Sequence, residues 1–180
     1  PLVARTVTAW SYAFPIDALI NRFKHEREYP YGRLLAHLLG ERLNTEFSAG
    51  LNRPDFLLAV PLAEKRERQR GFNQAQMIAA WLGRLTSIGV LNAVVRRVRQ
   101  TQTQQDLTAK QRRTNMHGAF QVTDTQQVMG LHLAIVDDVV TTGATTTELA
   151  RCLLNAGAER VDVYCLARTP KPHRKLTGFS

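Results

Sequence analysis

The segment Leu133–Thr145 constrains the fold of this chain more than any other segment. It reads LAIVDDVVTTGAT: an apolar run, two adjacent aspartates, a threonine-rich loop with one glycine, and the start of a helical pattern. A short continuous apolar run is typical of a strand buried on both faces of a parallel sheet. The strand predicted over Leu131–Val136 therefore places Asp137 and Asp138 at its carboxyl end, where open α/β sheets bind their ligands.

The rest of the chain alternates strand and helix patterns, which predicts an α/β fold with a mostly parallel β-sheet flanked by helices. Its 180 residues suit one domain, residues 1–180, with a loose basic tail over residues 170–180. A polar, charged stretch covers residues 63–73. The predicted strands are Val3–Tyr12, Phe56–Val60, Ala93–Val95 and Val161–Ala167, and the predicted helices begin at Pro15, Leu34, Ala75, Leu107 and Thr145.

The positive charge is concentrated in the middle of the chain. Lys and Arg number 24 against 15 Asp and Glu, a net charge of +9, and residues 60–115 alone carry eleven cations against three acids. Such a patch attracts anions such as nucleic acid, phosphate esters or a phospholipid surface. A solvated face that keeps the protein in solution explains the same charge equally well.

Composition excludes several classes of protein. With 44% hydrophobic residues the chain can bury a core, and no apolar stretch approaches the roughly 20 residues of a membrane-spanning helix. Cys152 and Cys165 are too few for a disulfide framework, so the expected location is cytoplasmic. Cys152 lies in a predicted helix and Cys165 in a predicted strand, and both are predicted core residues. Residues 1–5 lack the layout of a signal peptide, and the absence of an initiator Met leaves room for a further N-terminal segment.

The loop after the aspartates has the composition of a phosphate site. A loop that enters a helix presents unpaired backbone N–H groups and the positive end of the helix dipole. Thr141, Thr142 and Thr145 add hydroxyl groups, and Gly143 allows a sharp turn or a close approach to an anion. Neither a P-loop lysine nor a dinucleotide-binding glycine pattern is present. Carboxylates beside such a loop suit a sugar phosphate and Mg²⁺, whereas the alternative is a strand end with solvated acids.

Residues 137–145 resemble the phosphoribosyl pyrophosphate motif of class I phosphoribosyltransferases. Other segments resemble the ComF/GntX family of competence-related proteins, and together they span almost the whole chain. These segments are Leu19-Ile20, Phe23-Lys24, Val60-Pro61-Leu62, Arg66, Arg70-Gly71-Phe72-Asn73-Gln74, Thr103-Gln104, Leu107, Arg112, Asn115 and Ala119-Phe120. Many members begin with a cysteine-rich zinc ribbon, but this chain has no CxxC, so the module is either lost or lies upstream.

The resemblance implies a class I phosphoribosyltransferase-like fold with a small hood from residues 1–52 and a core over residues 53–169. It implies that Asp137 and Asp138 contact the ribose hydroxyls and hold Mg²⁺ indirectly, with the ligand. It further implies that Arg66 and Arg70 act in catalysis from a flexible lid. The implied phosphate-binding residues are Thr141, Thr142, Gly143, Ala144 and Thr145, and the implied pyrophosphate-binding residues are Pro61 and Leu62.

Three functions follow from these features. The first is a Mg²⁺-dependent enzyme that transfers the phosphoribosyl group of phosphoribosyl pyrophosphate to an unidentified acceptor. The second is an accessory protein that handles single-stranded DNA with competence proteins during DNA uptake. The third is a sensor that binds the sugar pyrophosphate without chemistry. Single-strand binders pair basic grooves with aromatic platforms, and residues 60–115 contain only Phe72 and Trp81, of which Trp81 lies in a predicted core helix.

Overall fold

A computed structural model describes residues 1–99 and 116–170, without the side chains of residues 64–66. The predicted helix from Leu107 and the predicted tail therefore lie outside the described residues, except for Met116 and Pro170. The strands are β1 (Arg5–Ser11), β2 (Phe56–Ala59), β3 (Gly89–Leu91), β4 (Val95–Arg97), β5 (Phe120–Val122), β6 (His132–Val140) and β7 (Arg160–Arg168). The helices are α1 (Ile16–Glu26), α2 (Tyr29–Ser48), α3 (Glu64–Arg70), α4 (Gln74–Thr86) and α5 (Ala144–Asn155).

Five strands form a parallel sheet in the order β1-β7-β6-β2-β3, and β4 pairs with β5 in a separate antiparallel ribbon. Parallel neighbours require long crossover connections, and helices supply most of them here. The predicted α/β class with a mostly parallel sheet is confirmed. None of the helices in the described part of the chain has the length and apolar character needed to cross a membrane.

Side chains of the central strands alternate between two cores. Leu133 and Ile135 of β6 belong to one core, which includes Leu149 of α5. Ala134 and Val136 belong to the other core, where α1, α2 and α4 pack. Since both faces of the sheet are covered, β6 needs a continuous apolar run rather than an alternating one.

The strand β6 is longer than the sequence predicts. It continues to Val140, because β7 pairs with it as far as Arg168. On its other side β2 ends at Ala59, opposite Val136, and the last bond there runs from the Val60 N–H to the Val136 carbonyl at 3.0 Å. The two aspartates therefore lie inside β6 rather than after it, and the edge of β6 beyond β2 is open.

The structure adds one helix and corrects one predicted strand. The polar stretch over residues 63–73, to which the sequence pattern assigns no element, contains the helix α3, which ends at Arg70 and is capped by Gly71 with a φ of 78°. The strand predicted over Ala93–Val95 begins only at Val95, because Ala93 has a left-handed φ of 59° that a strand cannot accommodate.

The N-terminal residues 1–52 contribute to both the sheet and one of its covering layers. β1 is an edge strand of the central sheet, and α1 and α2 pack against the face that also holds α4. The division of the chain into a hood and a core stays a prediction. Cys165 is buried, as predicted, whereas Cys152 is only partly buried against the core.

Candidate functional site

A cleft of about 700 Å³ lies at the carboxyl ends of β2 and β6, beneath the end of α1. It brings together most of the residues that the sequence predicts for a site. Those lining it are Pro61, Leu62, Arg70, Asp137, Asp138, Thr141, Thr142, Gly143, Ala144 and Thr145. Arg66 belongs to α3, but its side chain lies outside the described residues.

The loop between β6 and α5 lines the cleft where α5 begins. Gly143 is the N-cap of α5, with a left-handed φ of 75° and no side chain that could cap the helix. The nearest atoms to an added Cβ would be 3.8 Å away, so the dihedral angle rather than space requires glycine there. The Thr142 hydroxyl accepts from the Ala144 N–H at 3.4 Å, and residues 143–146 line the cleft, so the positive end of α5 lies at the cleft.

Asp138 is buried in the cleft wall and pairs with a lysine from α1. Its side chain is 6% exposed, and its Oδ2 lies 2.9 Å from Nζ of Lys24, whose side chain is 15% exposed. The other carboxylate oxygen accepts a hydrogen bond from the Val139 N–H at 2.6 Å. Asp138 thus has a counter-ion within the protein, which compensates for much of the cost of burying its charge.

Asp137 has a different environment. Burial against the end of the sheet, together with the negative charge of Asp138, raises the pKa of Asp137 to about 8, although Lys24 opposes the shift. A carboxyl group with this pKa holds its proton for much of the time at neutral pH.

Among the residues that the structure describes, cations outnumber acids around the cleft. Lys24, Arg27, Arg70 and Arg97 line it against the two aspartates. Burial and the charges of Arg70 and Lys24 lower the pKa of His25, another lining residue. The formal surplus of positive charge favours a ligand with several negative charges.

Asn73 connects the loop after β2 to α4. Its Nδ2 donates to the Val60 carbonyl at 3.1 Å, and its Oδ1 accepts from the N–H groups of Ala75 at 3.0 Å and Gln76 at 3.3 Å. It therefore caps the helix and anchors the loop that carries Pro61. The sequence holds a signal for the cap, since asparagine directly before a helical pattern is a preferred N-cap.

Gln74 presents an unsatisfied polar atom to the cleft. It is 6% exposed, and its Oε1 has no hydrogen-bond partner among the residues that the structure describes. A buried acceptor without a partner costs about 1–3 kcal/mol, so such an atom indicates a ligand or bound water. Sequence reasoning assigned no role to Gln74 or to Lys24, because their burial depends on elements distant in the chain.

Comparison with known proteins identifies the family. The family model "Phosphoribosyl transferase domain" matches residues 69–177, more than half of the chain. The chain belongs to this family. Within it, the chain is 40% identical to the DNA utilization protein YhgH of Escherichia coli O157:H7, over 92% of this chain and 72% of that protein.

A second relative supports the narrower resemblance. The chain is 37% identical to Competence protein F of Haemophilus influenzae over 87% of its length and 69% of that protein, and the similarity to the ComF family is confirmed. Among solved structures, a hypoxanthine phosphoribosyl transferase of Trypanosoma cruzi aligns with a TM-score of 0.49 and 17% identity, over 83% of this chain and 69% of that one.

The described residues of this domain offer few ligands for a metal ion in the absence of a bound substrate. Within residues 1–99 and 116–170, no three His, Cys, Asp or Glu side chains group closely enough to bind one. Asp137, Asp138 and the side-chain Oε1 of Gln74 all line the cleft, and they offer only oxygen ligands. Oxygen ligands suit a hard cation such as Mg²⁺.

Proposed function

We propose that this chain binds phosphoribosyl pyrophosphate with Mg²⁺ and transfers the phosphoribosyl group to an acceptor. One observation carries the proposal. Asp137 and Asp138, the loop before α5 and the loop after β2 all line the same cleft. A ligand with a phosphate, two hydroxyls and a pyrophosphate needs these three features next to one another.

Each part of the donor has a counterpart in the cleft. The 5′-phosphate accepts hydrogen bonds from the loop over residues 141–145 and lies at the positive end of α5. The ribose hydroxyls donate to Asp137 and Asp138. The pyrophosphate lies along the backbone at Pro61 and Leu62, in a loop that Asn73 anchors.

The transfer exchanges one bond at the anomeric carbon for another. The bond to the pyrophosphate oxygen breaks, the bond to the acceptor forms, and the electron pair leaves with the pyrophosphate. Positive charge develops on the ribose ring, where Asp137 and Asp138 lie, and negative charge develops on the leaving group. Arg70 of α3 lines the cleft, and we propose that its guanidinium group, with that of Arg66 from the same helix, stabilises the departing charge.

Mg²⁺ fits this site as a ligand-borne ion. The described residues offer two carboxylates and the orphan Oε1 of Gln74, which are too few to complete six oxygen ligands. The remaining ligands come from the sugar pyrophosphate and water. When bound, the ion neutralises negative charge on the leaving pyrophosphate.

A thermal-shift measurement tests the proposal. Millimolar phosphoribosyl pyrophosphate with Mg²⁺ should raise the Tm of the protein, and the double variant Asp137→Asn, Asp138→Asn should lose the shift. Asp124→Asn, which removes a carboxylate outside the cleft, should keep it. No shift in the unmodified protein at millimolar ligand would refute both the enzyme and the sensor. Release of pyrophosphate with nucleobases or amines as acceptors would then distinguish the enzyme from the sensor.

A role with single-stranded DNA is the second candidate. Two relatives carry the names DNA utilization protein and Competence protein, and Arg96 and Arg97 lie on the ribbon formed by β4 and β5. If DNA binds there, the affinity should fall steeply with salt and with Arg96→Ala. The same variant should leave the thermal shift with phosphoribosyl pyrophosphate intact, because Arg96 does not line the cleft. An affinity for single-stranded DNA that changes neither with salt nor with Arg96→Ala would exclude the β4–β5 ribbon as the binding surface.

A further inference from the structure

Lys24 is fixed in place by the packing of α1. Its neighbour Phe23 is completely buried and contacts the rings of Phe72 and Trp81, with centroid distances of 5.7 and 5.9 Å. This anchor sets the position of the last turns of α1, so the ammonium group of Lys24 reaches the end of β6. The 2.9 Å contact with Asp138 therefore follows from a rigid part of the fold rather than from a flexible surface side chain.

The ammonium group of Lys24 lies beside a carboxylate oxygen of Asp138 that a cation in the cleft would approach. A pair of adjacent carboxylates that lines a cleft attracts divalent cations, and Oδ2 of Asp138 already has the ammonium group of Lys24 2.9 Å away in an ion pair. A divalent cation at the same oxygen would have to displace the ammonium group of Lys24 or be repelled by it at a distance of a few ångströms.

The rest of the cleft reinforces this exclusion. Arg27, Arg70 and Arg97 line the described part of the cleft together with Lys24, so a cation that arrives alone meets further positively charged side chains. A metal bound to a polyanion is not repelled in this way, because the negative charges of the polyanion interact with the same guanidinium groups.

We propose that Lys24 is a resident counter-ion that closes the acid pair to free divalent cations, so that a metal enters this site only with a polyanionic ligand. The inference rests on the proposed use of Mg²⁺ at Asp137 and Asp138. Lys24 is a positioning residue that acts through Asp138. It determines that the metal binds together with the ligand rather than before it.

The probe is Mn²⁺ alone, without any sugar phosphate, measured by electron paramagnetic resonance of the unbound ion and by the Tm of the protein. The unmodified chain should bind Mn²⁺ weakly and show no rise in Tm. Lys24→Met should bind it at least about tenfold more tightly and gain Tm, because a unit positive charge beside the ion is gone. Lys24→Arg should behave like the unmodified chain, and Lys24→Met with Asp138→Asn should lose the new site.

Each result decides the inference. Equal Mn²⁺ affinity for the unmodified chain and Lys24→Met would overturn it, as would a new site in Lys24→Met that survives Asp138→Asn. Lys24→Gln replaces Lys24→Met if circular dichroism shows that the latter does not fold. The readout needs no phosphoribosyl pyrophosphate, so failure of the proposed function would appear separately, as a missing thermal shift with that ligand.

Discussion

Nζ of Lys24 lies 2.9 Å from Oδ2 of Asp138, and the contact joins α1 to the end of β6 inside the cleft. The side chains are 15% and 6% exposed, so neither charge has full access to water. Each charge is compensated by the other, and the ion pair attaches α1 to the strand β6, which carries the two aspartates.

The first prediction concerns the strength of this ion pair. Lys24→Met should lower the free energy of unfolding by about 3 kcal/mol, because it leaves a buried carboxylate without its counter-ion. Adding Asp138→Asn should recover part of the loss, with a coupling energy above about 1 kcal/mol in a double-mutant cycle measured by urea unfolding. The exposed pair of Arg5 and Glu46 is the control, and Arg5→Met should cost less than about 1 kcal/mol. A coupling energy near zero for Lys24 and Asp138 would contradict the prediction.

The second prediction concerns pH and Asp137. Its pKa rises from an ordinary value near 4 in the unfolded chain to about 8 in the folded protein, so the folded state binds more protons between these values. This contribution to stability is fully present below the unfolded pKa and is lost as the pH rises through the folded one. Asp137→Asn removes it, so the Tm of the variant relative to the unmodified chain should be higher at pH 9 than at pH 5.

The control for this measurement is Asp124→Asn. Hydrogen bonds from Gln127 and Gln126 lower the pKa of Asp124, which is the opposite direction. The Tm of Asp124→Asn relative to that of the unmodified chain should therefore not rise with pH between 5 and 9. A pH-independent difference for Asp137→Asn would show that the carboxyl titrates normally in the folded protein.

The third prediction concerns Gln74. Because its Oε1 is buried without a partner among the described residues, Gln74→Met should leave the unliganded protein as stable as before or stabilise it slightly. The same change should weaken binding of phosphoribosyl pyrophosphate about tenfold, the equivalent of about 1.4 kcal/mol, by removing one hydrogen bond to the ligand or its metal. Isothermal titration calorimetry measures the affinity. Gln76→Met, at an exposed position of α4, should change neither quantity, and a large loss of stability in Gln74→Met would mean that its role is structural.

The fourth prediction separates the two functions of Asn73. Asn73→Ala removes the cap of α4 and the bond to the Val60 carbonyl, and should cost about 1 kcal/mol or more in urea unfolding. Asn73→Asp keeps the acceptor for the helix but loses the donor to the loop, so stability should be largely retained. Amide exchange at Val60 and Leu62 should become faster in both variants. Unchanged exchange in Asn73→Asp would show that the side chain does not hold the loop.

Much of the site could be predicted from local sequence. Residues 133–145 are contiguous, and the order of apolar run, acids, loop and helix needs no distant contact to place a threonine-rich loop beside two carboxylates. The loop residues Thr141 and Gly143 and both aspartates line the cleft, while their roles toward a ligand stay a prediction. The strand boundary could not be predicted in the same way, because the length of β6 depends on where β7 and β2 end.

The amino-acid pattern was sufficient for the α/β class, the parallel sheet and the acid pair, since periodicity and turn chemistry act over a few neighbouring residues. The tertiary structure alone decided which side chains complete the cleft. Lys24 meets Asp138 only because α1 packs on the face of the sheet toward which Asp138 points, and Gln74 becomes buried only because α4 starts beside the loop after β2. Charge compensation and burial depend on distances in space between segments far apart in the chain, and no local pattern encodes those distances.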